Sequence, residues 1–462
     1  MKKALKIIVI LSITSLVGYW GYTWYCNTAS LLGVIHKDAD SVIKIGIQDI
    51  KETLVLDAIT SPKYYYNNAS FKTKKKEKDT VEKKGINFTP HNLVLFTVPK
   101  VQNTYFSILT IEDNNAFKNQ IKEYSKGLHQ KIDKEHNIHW LEHKKQHWVC
   151  AWSNNKLVVS FGLDNTYQKS KKVFVEVLKE GKVITSKNNK WITTLSKSNS
   201  HITFIDTKGK TEIQFKDGKA VLEGSLETNE VNAYPNKVSY DRVPNAALEF
   251  YWDGNFNRNK NREQFIASWK NNAFLKKANI NVPEIAELTN GFFYAGVNGT
   301  TMQTDTIITY GYDDNFNKIE QKSLQEKLVP SIILNLGREK QPLKSYLKEQ
   351  ELLTENNIFK SIPFYHFYVE EDATATCFKT QKLKQSTEQI TSSNFMNLFV
   401  DFNKAKEVVQ IPQVNRFFNL LNSLQISAQQ SSNNKVVLKG TIEGKLEKVN
   451  ILSQVFFGVR QE

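Results

Sequence analysis

Two stretches of this chain carry nearly the same pattern far apart in the sequence. Residues 217–227 read DGKAVLEGSLE and residues 433–443 read NNKVVLKGTIE. Each is a polar turn followed by an alternating run, the period of a half-buried strand, with a glycine at the same point (Gly224, Gly440). Other matches keep the same order. Residues 35–45 and 243–250 each lead from a polar turn into an alternating strand, and helical spacing follows over 47–59 and 262–278. Strand pairs come next, 93–98 with 105–111, and 292–297 with 304–312. In the second pair Asn298-Gly299 supplies a hairpin signal. HITFID at 201–206 matches MNLFVD at 396–401. Such a chain folds as a tandem duplication with a period of about 200 residues, far longer than that of a short-repeat solenoid.

The pattern divides the chain into an N-terminal segment 1–30, a first repeat 31–230, a linker 231–242 and a second repeat 243–462. Strands outnumber helices and short turns join them. The expected fold class is therefore α+β, with antiparallel sheets that carry helices on one face. The second repeat holds an insertion over 404–430, where residues 414–424 have helical spacing.

At the N-terminus Lys2, Lys3 and Lys6 precede an apolar run over 7–17, and Tyr19, Trp20, Tyr22, Trp24 and Tyr25 follow. A helix over residues 4–25 would rise about 33 Å, enough to cross a bilayer core. Lysines at one end and an aromatic belt at the other predict a transmembrane signal anchor, with the bulk outside the cytoplasm. Two alternatives stay open: a cleaved signal peptide, with Thr28-Ala29-Ser30 nearest to a cleavage site, and lipidation at Cys26. Trp24 and Tyr25 stand where a lipidation signal wants small residues.

The chain has 62 basic and 47 acidic residues, a net charge of +15, which favours anionic partners. Part of the excess is local. Residues 63–84 hold eight lysines against Glu77, Asp79 and Glu82, and nothing in the second repeat corresponds. This reads as a loop insertion in which Lys72, Lys74, Lys75, Lys76 and Lys78 are candidates for contact with an anionic partner. No aromatic residues are interleaved for base stacking, so nucleic acid is not an expected partner. Three cysteines, Cys26, Cys150 and Cys377, make no disulfide framework; one Cys150–Cys377 bridge and two free buried thiols both remain open.

Histidines at 136, 139, 143 and 147 would line one face of a helix and suit zinc or copper. The local alternation reads instead as hairpin strands around Lys144-Lys145, and His139, His143 and His147 remain the candidate metal ligands. Asp38-Ala39-Asp40 has the form that metal-dependent glycosyltransferases use. Its counterpart Asn245-Ala246-Ala247 has no carboxylate, so the first triplet reads as a turn. The acidic pairs Glu112-Asp113 and Asp313-Asp314 read as helix caps. No nucleophile elbow, phosphate loop, dinucleotide fingerprint or HExxH motif occurs. No catalytic residue is assigned and no cofactor is implied. Asn68-Ala69-Ser70, Asn87-Phe88-Thr89 and Asn298-Gly299-Thr300 are sequons that matter only in a glycosylating host.

The opening DADSVIKIGIQDI at 38–50 resembles uncharacterised exported proteins of Bacteroidota, whose mature domains begin with a P-x-D-A-x-x-V strand and carry paired domains of unknown function. His36-Lys37-Asp38-Ala39-Asp40-Ser41-Val42 lacks the proline, while Val243-Pro244-Asn245-Ala246 keeps it. The resemblance implies a cell-envelope protein, anchored in a bacterial inner membrane with its bulk in the periplasm, and transfers no catalytic residue. Asp40-Ser41-Val42, Asp79-Thr80-Val81 and Asp305-Thr306-Ile307 also fit the short O-glycosylation pattern of that phylum. The expected function is a non-enzymatic, membrane-anchored interaction or scaffold component of an envelope complex. A lipid or hydrophobic-ligand carrier is the first alternative. An unrecognised hydrolase or transferase is the second.

Overall fold

Alternating apolar and polar residues become sheet throughout the chain. The computed structural model describes residues 21–68, 85–87, 90–135, 137–163, 165–227, 237–257, 259–312, 316, 318–339, 341–362, 364–382, 386–408, 417–432 and 434–459. It is mostly antiparallel sheet, with 45% strand and 27% helix. The chain divides into two compact units, residues 1–215 and 216–462.

The first unit contains β1 (Ser41–Gly46), β2 (Asn92–Val98), β3 (Val101–Thr110), β4 (Asp133–Glu135), β5 (Ile138–His143), β6 (Trp148–Ser153), β7 (Lys156–Gly162), β8 (Ile202–Asp206) and β9 (Gly209–Lys216). Its helices are α1 (residues 21–29), α2 (Ile47–Thr60), α3 (Pro62–Asn68), α4 (Asn114–Gly127), α5 (Tyr167–Leu178) and α6 (Lys190–Ser196). The strands lie in the order β9-β8-β1-β2-β3-β7-β6-β5-β4, each pair antiparallel. Strand β6 shows how the unit is layered. Val149 and Ala151 enter one core with Phe174 and Val177 of α5 and Ile192 and Leu195 of α6. Cys150 and Trp152, which point the other way, enter a second core with Phe117 of α4. Helices thus cover both faces of this sheet rather than the one face expected. Asp113 caps α4, its carboxylate accepting from the backbone N–H groups of Asn115 and Ala116 at 2.9 and 3.0 Å.

The expected transmembrane helix over residues 4–25 is corrected here. Among the described residues no helix is long and apolar enough to cross a membrane. Residues 4–20 of that stretch lie outside the described residues. Its described part, α1, is tied into the first unit. The Asn27 side-chain amide donates to the Ser196 carbonyl at 3.0 Å and accepts from Asn92 at 2.7 Å. Leu31, just beyond, is fully buried in the first core. Polar side chains bonded to a sheet strand and a helix end, followed by a core leucine, belong to a globular body. The reading of residues 1–30 as a membrane anchor is not carried further.

The second unit contains β10 (Lys219–Glu227), β11 (Val238–Arg242), β12 (Leu248–Asp253), β13 (Thr289–Tyr312), β14 (Lys318–Arg338), β15 (Tyr368–Glu371), β16 (Ala375–Lys379), β17 (Glu388–Ser392), β18 (Met396–Asp401), β19 (Leu421–Ser432) and β20 (Lys435–Gly444). Its helices are α7 (Asn259–Trp269), α8 (Ala273–Lys277), α9 (Val282–Leu288), α10 (Leu343–Glu349), α11 (Phe402–Val408) and a last one over Ile451–Phe457. The main sheet runs β10-β20-β19-β18-β12-β13-β14-β16-β15, again antiparallel throughout. Strands β11 and β17 form a separate pair.

The two units repeat one connectivity. Strand β12 stands between β13 and β18 as β1 stands between β2 and β8, and β18 pairs on to β19 as β8 pairs on to β9. The two near-identical sequence patterns become direct neighbours, because β10 pairs antiparallel with β20. Glu223 and Lys439, the same position in each pattern, face each other, so the pairing has a local two-fold. Leu222 then faces Gly440 and Gly224 faces Leu438. A Cβ on Gly440 would lie 3.3 Å from the Leu222 Cβ and from the Gln425 carbonyl oxygen. The glycine leaves room for the opposing leucine. This pairing also explains why the compact units divide after Phe215, and not within the 231–242 stretch that the sequence suggests.

Two local expectations change. Asn298-Gly299 is not a hairpin turn. Strand β13 runs straight through it with a register shift between Val297 and Thr300, and Gly299 takes φ +67°. It is a bulge, pinned where the Asn298 side chain donates to the Pro244 carbonyl at 3.0 Å. The insertion over 404–430 ends in sheet: its residues from Leu421 onward belong to β19, which bonds to β18 on one side and β20 on the other.

Candidate functional site

The closest set of titratable groups was not singled out in the sequence. Among the described residues, the one trio able to bring ligand atoms within 4.8 Å of one another is His36, Asp38 and Glu176. His36 is fully buried just before β1, and Glu176 sits near the end of α5. The His36 Nδ1 accepts from the Asp38 backbone N–H at 3.1 Å, which assigns the ring proton to Nε2, 3.2 Å from a Glu176 oxygen. The Lys182 ammonium donates to Asp38 at 2.7 Å and to Glu176 at 3.2 Å. Burial pushes the His36 pKa down against the pull of Glu176, and Lys182 holds the Asp38 carboxyl below its ordinary value. A cation here would have to displace the ammonium and strip the ring proton. The cluster instead ties the start of β1 to α5 and to the segment at Lys182. Asp40, the other carboxylate of the DxD triplet, accepts from the Thr97 hydroxyl.

The candidate metal ligands His139, His143 and His147 are not brought together. His139 stacks on Trp152, its pKa lowered by burial, and His143 is buried beside Trp148. They are four residues apart on one strand, about 13 Å at the strand rise. His147 lies exposed in the following turn with φ +53°. His136 and the candidate lysines Lys72, Lys74, Lys75, Lys76 and Lys78 lie outside the described residues, as does the acidic pair Asp313-Asp314. The cysteines are free thiols. Burial pushes Cys150 up to about 12 and Cys377 up to about 11, so neither is a thiolate at neutral pH.

The second unit holds a polar cavity of about 360 Å³ lined by Arg242, Asn245, Glu249, Asn397, Lys404 and Gln425 among others. Its charges are held by the chain itself. Tyr240 donates to Glu249 at 3.3 Å, Arg242 to Glu388 at 2.5 Å, and Lys404 to the Asn245 carbonyl at 3.1 Å. Burial raises the Glu249 pKa.

One element instead exposes apolar side chains. Beyond the sheet, β13 and β14 continue as a two-stranded ribbon in which residues 300–312 pair only with 318–330 among the described residues. Its base is anchored. Gln303 is buried and exchanges hydrogen bonds with the His366 backbone at 2.8 and 2.9 Å, and also donates to the Thr380 carbonyl. Asp305 pairs with Lys327 and with His366. From Thr304 outward, nine rungs project for about 30 Å. Ile308, Tyr310 and Leu324 are exposed there, as are Met302 and Leu328 nearer the base and Phe316 between the two strands. Thr, Ile and Tyr in this run favour the strand, but an isolated ribbon is marginal in water. The signal was in the sequence as an alternating run, and the false hairpin at Asn298-Gly299 hid its length.

No protein-family model, no curated protein and no solved structure matches the chain.

Proposed function

We propose that this chain is a non-enzymatic interaction protein that joins a protein complex through the β13–β14 ribbon. The observation that carries this is the ribbon itself: an anchored arm that exposes Met302, Leu324 and Leu328, with no cover for them among the described residues. Contiguous exposed apolar surface on a folded protein marks a binding site. The non-enzymatic half of the proposal is supported by Lys182, whose ammonium is bonded to both Asp38 and Glu176. The basic–apolar N-terminal run keeps an extracytoplasmic location as part of the proposal.

The test replaces residues 306–324 by Asn-Gly, a two-residue hairpin turn that leaves the Gln303 and Asp305 anchors in place. Tagged full-length chain and this variant are purified from native cells. The full-length chain brings down a stoichiometric protein component and the variant loses it. A variant that keeps the same components overturns the proposal.

A further inference from the structure

We infer that the first unit binds a small amphiphilic anion, an apolar body with one carboxylate, in the cavity between α4 and the strands β4, β5 and β6. The site stands apart from the ribbon. The cavity has a volume of about 520 Å³, within the range of small-molecule sites. Phe117 and Ile121 of α4, Ile132 and Trp152 give it apolar walls. Phe117 and Trp152 are buried and meet edge to face, their ring centroids 5.4 Å apart. Ile121 and Ile132 are only partly buried against that core, so α4 leaves it open along this flank.

The charges around the opening are of one sign. Strand β4 reads Asp133-Lys134-Glu135, so Lys134 points to the face opposite its two acidic neighbours. Glu135 pairs with Lys171 of α5, on the other side of the sheet. The register sets Lys134 beside His139 and His139 beside Trp152, one row across the cavity face. Helical period sorts α4 in the same way. Asn114, Lys118, Ile121 and Lys122 line the cavity at the i, i+4, i+7 and i+8 spacing of one helix face. Glu123 stands two and a half turns on from Asn114 and faces away. Asp113 is held by the first N–H groups of the helix. No carboxylate lines the cavity, and among the described residues Lys118, Lys122 and Lys134 form no ion pair. Lys118 and Lys122 are also four residues apart, where like charges work against a helix. His139 lies in the same field: burial lowers its pKa first, then Lys134 and Lys118, leaving a neutral ring with one N–H to donate. Apolar walls beneath exposed ammonium groups match an apolar body whose carboxylate stays at the opening. An uncharged ligand would leave the lysines unanswered, and a cation would be repelled.

Calorimetric titration of the purified full chain tests this with decanoate and cinnamate, each against the alcohol of the same skeleton, decanol and cinnamyl alcohol. The two acids separate an acyl body from an aryl one. At least one of them should bind once per chain, and about tenfold or more tighter than its alcohol, the effect of one charge-assisted contact. Raising sodium chloride from about 0.05 to 0.5 M should shrink that margin, because exposed ammonium groups are screened. Lys118→Glu together with Lys122→Glu, both at exposed positions, should abolish the preference for the acid, and K118R/K122R should keep it. Ile121→Trp fills the cavity and should weaken acid and alcohol alike. Circular dichroism checks that each variant is folded. A chain that binds neither acid overturns the inference. So does an acid that binds no tighter than its alcohol, and so does binding that the paired glutamates and Ile121→Trp leave unchanged.

Discussion

At the scale of residues, the chain holds its chemistry inside. His36, His91, His139 and His201 all have their pKa lowered, with burial the largest cause in each, and all four belong to the first unit. A base whose native pKa is lowered takes its proton more readily when unfolded. The stability it contributes is complete above pH about 6.5 and drains as pH falls below that value. Glu249 and Asp253 in the second unit are shifted up by burial, so they act in the opposite sense, favouring the folded state at low pH. The first unit should therefore lose protection before the second on going from pH 7.5 to 5.5. Hydrogen exchange of peptides from each unit reads this, and equal loss in both would contradict it. His36→Gln should flatten part of the first unit's response. Glu176→Ala empties buried space beside His36 and removes one acceptor of the Lys182 ammonium, and should lower the urea midpoint of the first unit. The DxD triplet was legible as a turn. The trio was not, because Glu176 and Lys182 lie far from His36 in sequence and meet it only when α5 packs on the sheet.

At the scale of elements, period-2 alternation located β1, β8, β10, β12, β18 and β20, and acidic side chains located a cap. Asp113→Ala removes the acceptor of two backbone N–H groups at the start of α4 and should cost about 1 kcal/mol in equilibrium unfolding. Gly440→Val tests the β10–β20 joint. Its side chain would press on Leu222 and on the Gln425 carbonyl, at a cost of about 1–3 kcal/mol to the second unit, where a surface valine in a strand would otherwise favour it. A stabilised second unit would show that the glycine is not there to admit the leucine. The helical spacing over 414–424 gives way at Leu421, because β19 finds hydrogen-bonding partners on both sides and tertiary pairing overrides a local period; residues 417–418 are helical and 414–416 lie outside the described residues. The Asn-Gly signal misled for a related reason: a glycine at positive φ serves a bulge as well as it serves a turn.

At the scale of the whole molecule, the residues that looked asymmetric divide into two kinds. The lysine-rich stretch from residue 69 lies outside the described residues, and His139 and His143 became packing partners of tryptophans. The asymmetric element that remains is the ribbon, since β13 and β14 outrun their counterparts β2 and β3. The sequence by itself determined that two stretches would be alternating strands with a glycine at the same position, that the connectivity would recur, and that strands would outnumber helices. These are local properties, written in side-chain period and turn chemistry. Only the tertiary structure decided that the two patterns pair with each other about Glu223 and Lys439, that His36 meets Glu176, and that one hairpin leaves the sheet with its apolar face open. Those outcomes depend on which strand finds which edge and on what covers each face, and period alone carries no information about the partner.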